Sequence, residues 1–177
     1  MAVIKYGFAP VFDGHSRVLI LGSFPSVKSR QVEFYYGNRQ NRFWRILCSF
    51  FGEGVPESAD EKKALLLRRN VALWDMVTEC EIEGSSDASI KDYKVADLDK
   101  VLGGCSIELI ILNGGKAAQI FERRYRDIGI PYVALPSTSP ANTRCDENKW
   151  YAALSSVFGA PNNAQLQNER FCKLCTP

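Results

Sequence analysis

Histidine is nearly absent from this chain: His15 is the only one in 177 residues. A Ser/His/Asp set therefore has no base in the interior of the chain, and a zinc site of the HxxxH kind cannot form. Long apolar runs are absent too. No stretch approaches the ~20 apolar residues of a membrane helix, and the opening MAVIKYGFAP holds no signal-peptide apolar region. A cytoplasmic protein with no membrane partner is the expectation. Neither sign of charge dominates, since 22 Lys and Arg against 20 Asp and Glu leave a formal net charge of +2. A nucleic-acid partner would have to be held by a local patch. There is no GxGxxG and no Walker lysine, so dinucleotide binding and P-loop phosphoryl transfer lack their residues.

Cysteine is present but scattered, at Cys48, Cys80, Cys105, Cys145, Cys172 and Cys175. Free thiols are expected in a cytoplasmic protein. Cys172 and Cys175 form a lone CxxC with no second half, so neither a metal nor any other cofactor is expected. What the chain does have is ordinary: 46% apolar and 24% charged residues, enough for one folded domain over residues 1–160 with a polar tail over 161–177.

Periodicity divides that domain. The opening to Arg17 reads as an irregular lead-in. Apolar runs at Arg17–Leu21, Val71–Trp74, Ile107–Leu112 and Tyr132–Leu135 predict four buried strands. Helical spacing runs over Asn41–Phe51, with Phe43, Trp44, Leu47, Phe50 and Phe51 inward and Gly52 as the stop. Further helices are predicted from Ser58, a cap, to Arg69, over Val95–Leu102, from Lys116 to Ile128, and over Asp146–Phe158. Residues 81–92 read as a surface loop. Strands separated by helices pair in parallel through right-handed crossovers. The expectation is a three-layer α/β/α sandwich around a mainly parallel sheet of about four strands.

In such a sheet ligands bind outside the carboxyl ends of the strands. Four loops leave those ends, after Leu21, Asp75, Leu112 and Leu135. The longest is GSFPSVKSRQVEFYYGNRQNRFW, residues 22–44. Its aromatics Phe24, Phe34, Tyr35 and Tyr36 can wall a flat pocket or be core packing. Asp75 can accept a hydrogen bond from a ligand or close a turn. Pro136–Asn142 is, read by itself, a turn with Ser/Thr motifs.

GSFPS after the first strand, NRFW opening a helix, LWD, ILNGGKA and LPSTSPAN together resemble the uracil-DNA glycosylase superfamily, with the match closest to its hypoxanthine-DNA glycosylase branch. The resemblance covers roughly Val18 to Phe158. It implies a monofunctional DNA glycosylase of base excision repair, acting as a monomer on double-stranded DNA that holds deaminated bases. Hypoxanthine comes first and uracil second, and an abasic site is left without strand cleavage. A protein that recognises damaged DNA without cutting the glycosidic bond is the alternative, and a small-molecule enzyme using the same rim is a third reading.

In the uracil and mismatch branches an Asp or Asn in the first turn positions the attacking water. Here that position is Phe24, which cannot orient water. The resemblance implies that an asparagine further along takes the role, Asn41 first and Asn38 second. Asn41 can equally be a helix cap. The flipped base would stack on Phe34, Tyr35 or Tyr36 with Phe24 as a wall. Its N1–H would meet Asp75, and its O6 would meet backbone amides near Ser23 or Gly114. Ser137, Thr138, Ser139 and Asn142 would grip phosphates, and Pro140 and Ala141 would wedge into the vacated stack. Lys28, Arg30, Arg42 and Arg144 would supply the local positive patch.

Overall fold

The computed structural model describes residues 4–162. In chain order the elements are β1 (Ile4–Tyr6), β2 (Val18–Gly22), α1 (Val27–Gln31), α2 (Phe43–Phe51), α3 (Ala59–Arg68), β3 (Val71–Asp75), β4 (Val77–Glu81), β5 (Lys91–Val95), α4 (Asp99–Leu102), β6 (Leu109–Asn113), α5 (Gly115–Tyr125), β7 (Tyr132–Leu135) and α6 (Glu147–Phe158). A single 3-10 turn spans Asp87–Ser89.

The four predicted apolar runs form one sheet in the order β3-β2-β6-β7, with every pair parallel. β2, β3 and β6 are buried along their whole length, as expected for a parallel sheet covered on both faces. The helices complete an α/β/α sandwich: α3 packs on β3, α5 on β6 and β7, and α6 on β7 and α2. α2 buries seven of its nine residues, Ile46 and Cys48 besides the predicted aromatic and leucine face, so it belongs to the core rather than to the surface. Gly52 ends it at φ 68°, where a side chain would be strained. Ser58 caps α3 in a full capping box with Glu61, and Asp146 caps α6.

A second sheet, antiparallel in the order β1-β4-β5, replaces three stretches that the pattern assigns otherwise. The lead-in holds β1, and it is pinned further along by Trp74 Nε1 donating to Phe8 O at 3.0 Å and Tyr35 Oη donating to Ala9 O at 2.8 Å. Part of the predicted 81–92 loop is strand: Glu81 ends β4 and Lys91 opens β5. The predicted helix over Val95–Leu102 shrinks to Asp99–Leu102, because Val95 closes β5. These strands carry charge on their open face, with Lys94 paired to Glu79 at 2.9 Å. Charged edges discourage pairing with other chains, but they erase the apolar alternation by which a strand is read. Only Met76 separates β3 from β4, so the chain passes from one sheet to the other at the point where Asp75 sits. The long loop after β2 also contains the short helix α1. The Asn- and Gln-rich tail with Cys172 and Cys175 lies, from residue 163 on, outside the described residues.

Among the described residues no helix is long and apolar enough to cross a membrane.

Candidate active site

The loops at the carboxyl ends of the parallel strands enclose a cleft of about 750 Å3. Gly22 forms its floor at the end of β2. A Cβ on Gly22 would overlap Asp75 Oδ1 and come within 3.0 Å of Tyr36 Oη. Only glycine leaves these two oxygens facing one shared space.

Asp75 ends β3 and is only 4% exposed. Its Oδ2 is buried with no hydrogen-bond partner, a costly state for a charged oxygen. Burial first, and then the carboxylate of Asp87, push its pKa up to about 7. Asp87 reaches the cleft from the β4–β5 connection, where Ser23 Oγ donates to its Oδ1 at 2.5 Å. The same connection is fastened to the first loop by Val27 N donating to Ser85 Oγ at 2.8 Å and by Arg30 Nη2 donating to Gly84 O at 3.1 Å.

Tyr36 is held in the left-handed region at φ 52°, uncommon for a residue with a bulky side chain. Its ring stacks on Phe43 at 4.1 Å. Its hydroxyl accepts from Asn113 Nδ2 at 3.0 Å. Asn113, at the end of β6, uses the rest of its carboxamide on Thr138: Nδ2 donates to Oγ1 at 2.9 Å, and Oδ1 accepts from the backbone N–H at 3.0 Å. Burial raises the hydroxyl pKa values of Tyr35 and Tyr36 far above neutrality, so both stay protonated.

Both candidate asparagines line the cleft. Each accepts a local backbone hydrogen bond, Asn38 Oδ1 from Gln40 N and Asn41 Oδ1 from Phe43 N, both at 3.0 Å. Asn41 therefore does serve the start of α2. An amide oxygen has two lone pairs and can accept a second hydrogen bond. The neighbour of Asn41 fixes its position. Arg42 N donates to Thr138 O at 3.0 Å, and Arg42 Nη1 donates to Ser139 O at 3.1 Å and Asn142 O at 2.9 Å. Asn38 lies in a turn beside exposed Arg39 and Gln40.

Ser23, Phe24, Tyr35, Lys28, Ser137, Ser139, Pro140 and Ala141 also line the cleft, with Ala141 exposed at the loop tip. Several predicted positions do other work. Phe34 lies outside the cleft lining and packs edge-on against Tyr35 and stacked on Trp44. Gly114 also lies outside the lining, and its N–H is taken by Leu112 O at 3.1 Å and Leu135 O at 3.0 Å. It is unable to donate to a ligand. Thr138 is wholly buried on Asn113, so it offers nothing to a phosphate. Asn142 turns inward, donating from Nδ2 to Ser137 O at 2.8 Å and accepting from Arg144 N at 3.1 Å. Arg42 ties the loop, and Arg30 donates to Pro25 O at 2.6 Å while lying over the Phe24 ring. Of the predicted cations, Lys28 and Arg144 are left facing solvent. The sequence reading missed Asp87 and Asn113. Asn113 was within reach, as a polar residue ending an otherwise apolar strand. Asp87 was hidden in a polar segment.

The comparisons with known proteins agree with this fold. Residues 9–155 match the model of the uracil DNA glycosylase superfamily. A protein named hypoxanthine DNA glycosylase from Methanosarcina acetivorans is 38% identical over 149 residues, covering 83% of this chain and 94% of that one. One of the same name from Methanosarcina barkeri is 34% identical over 142 residues, covering 79% and 89%. The solution NMR structure of a candidate uracil DNA glycosylase from Methanosarcina acetivorans superposes with a TM-score of 0.76 at 34% identity, covering 89% of this chain and 98% of that one. The chain belongs to the uracil DNA glycosylase superfamily and is a hydrolase of N-glycosyl bonds. Two relatives that share most of its length are named hypoxanthine DNA glycosylases.

Proposed function

We propose that the protein removes hypoxanthine from deoxyinosine in double-stranded DNA, with uracil as a second substrate, and leaves an abasic site. The observation that carries this reading is a single cleft holding Asp75, Tyr36 and the carboxamide of Asn41 around the open end of β2. The two named relatives support the choice of base.

The target nucleotide leaves the stack and enters the cleft. Tyr35, Tyr36 and Phe24 give its ring apolar surface. The lactam edge of hypoxanthine faces Asp75. Tyr36, whose hydroxyl oxygen is already engaged by Asn113, retains its own proton for the base. The glycosidic bond breaks dissociatively and the sugar becomes an oxocarbenium ion, as in glycoside hydrolysis. Asn41 orients the water that adds to it. A neutral amide is sufficient there, because a cation needs its nucleophile placed more than deprotonated. Asn41 is preferred over Asn38 because Arg42 locks it to the Pro136–Asn142 loop. Lys28 and Arg144 meet phosphates, and Ala141 with Pro140 fills the gap left in the duplex. The enzyme works as a monomer.

The test is single-turnover release of base from a duplex with one deoxyinosine, read as alkali-labile strand breaks. Asn41→Ala should slow release roughly 10²–10³-fold, as loss of one oriented polar group does, and Asn38→Ala should slow it far less. Equal rates in the two variants would remove Asn41 from the mechanism. Absence of any alkali-labile product with the wild type would remove the substrate.

A further inference from the structure

The departing base takes the bonding electron pair with it, and its negative charge must be met within the cleft. No imidazole is available: His15 is exposed in the lead-in and lies outside the cleft lining. Lys28, the one cationic side chain in the lining, is exposed at the mouth. The Gly114 N–H is taken within the chain. Two side chains face the base edge from the depth of the cleft: the Tyr36 hydroxyl, which can share a hydrogen bond but keeps its proton, and the Asp75 carboxyl, which if ionised would repel the leaving anion.

We propose that Asp75 works as a neutral acid, donating its proton to the departing base, and that Asp87 across the cleft is the positioning residue that keeps that proton on Asp75. The inference rests on the deoxyinosine reading above. Its geometry is an unequal pair of carboxyls. Asp87 is exposed to solvent and accepts from Ser23 Oγ. Asp75 is buried with an unpartnered Oδ2 and holds the proton. Two carboxyls facing one cleft avoid being ionised together. The other groups around Asp75 do not alter this. β2 contributes Gly22 and Ser23, β6 contributes the uncharged Asn113, and the α1–α2 connection contributes Tyr35 and Tyr36, which stay protonated. α1 contributes Lys28, distant at the mouth, and Arg30, held on Pro25 O and Gly84 O. The raised pKa of Asp75 agrees with the arrangement.

The step balances. The C1′–N9 bond breaks, and its electron pair stays on the purine, spread over the ring and O6. Asp75 shares its proton with O6 and gives it to the base, which leaves neutral. Water held by Asn41 forms the new bond to C1′ and loses a proton to solvent. The Asp75 carboxylate regains one from solvent.

The test is the pH profile of single-turnover base release from the deoxyinosine duplex, together with the 13C titration of the Asp75 carboxyl in the full chain. Release should fall as pH rises, tenfold per unit above a midpoint near 7, and the carboxyl should titrate at the same midpoint. Asp87→Asn preserves an acceptor for Ser23 and removes the like charge, so both midpoints should move down. Asp75→Asn can hydrogen-bond the base but has no proton to give, so its release should be slower than the wild type's below pH 7 and should lose the falling limb. Release that rises with pH through 7, an Asp75 titration below 5, or a midpoint unmoved by Asp87→Asn overturns the inference while leaving the deoxyinosine activity standing. Absence of release at every pH sinks the activity itself, and this inference with it.

Discussion

On the Pro136–Asn142 side of the cleft nearly every polar atom is engaged by the chain itself, whereas on the Asp75 side a carboxyl oxygen has no partner at all. The loop hangs from Trp150 Nε1, which donates to Pro136 O, from the carboxamide of Asn113 and from the guanidinium of Arg42. Its serines accept from its own amides, Ser137 Oγ from Ser139 N and Ser139 Oγ from Ala141 N. Such a loop keeps its shape without a ligand. The opposite side holds a buried oxygen with no partner, and an unsatisfied buried group in a native structure calls for a functional reason.

Three experiments can break or sharpen that contrast. The largest effect belongs to the stability of Asp75→Asn. The folded state holds the proton of Asp75 more tightly than the unfolded chain does. Asp75 therefore contributes stability that is fully present below the unfolded pKa of about 3.9 and is lost as pH rises through about 7. Asparagine has no such loss. Asp75→Asn should match the wild type in denaturant at pH 4 and exceed it at pH 8, by on the order of 4 kcal/mol at most. Equal stability at pH 8 would mean that the carboxyl has a partner after all.

The next effect, opposite in sign, is expected on the loop side. Asn113→Ala leaves the buried backbone N–H of Thr138 without its acceptor and the Tyr36 hydroxyl without its donor. Denaturant unfolding should show a loss of about 1–3 kcal/mol, the cost of a buried group left unsatisfied, and no pH dependence between 5 and 8. A loss confined to high pH would move Asn113 into the titrating half of the cleft.

The smallest effect is on DNA affinity. Lys28 is exposed at the cleft mouth with no ion pair among the described residues. Lys28→Ala should weaken duplex binding whatever base is present and reduce the salt slope by about one. A change in base preference would instead place Lys28 among the groups that read the base.

The central sheet was legible because its strands are covered on both faces, so Val18–Leu21 and Leu109–Leu112 stand out as unbroken apolar runs. The cleft was legible as a rim because a parallel sheet brings the carboxyl ends of its strands together. The small sheet was not. β5 reads Lys-Asp-Tyr-Lys-Val, and β4 alternates weakly because Glu79 and Glu81 interrupt it. Its third strand, β1, comes from more than seventy residues away in sequence. Asp87 was lost with it. The roles of Arg42, Thr138 and Asn142 were also beyond the sequence. Their residue types suit phosphates as well as internal partners, and only the fold shows that Arg42 and Asn142 donate to loop carbonyls and that Thr138 is held by the carboxamide of Asn113.

Gly22 carries a consequence for how this enzyme can change. The cleft is floored there by bare main chain, with the acid of Asp75 on one flank and the phenol of Tyr36 on the other. Any larger residue would occupy the seat itself. A variant with altered base preference therefore has to be sought at Asp75, Asp87 or Tyr36, and libraries that randomise position 22 should return glycine alone.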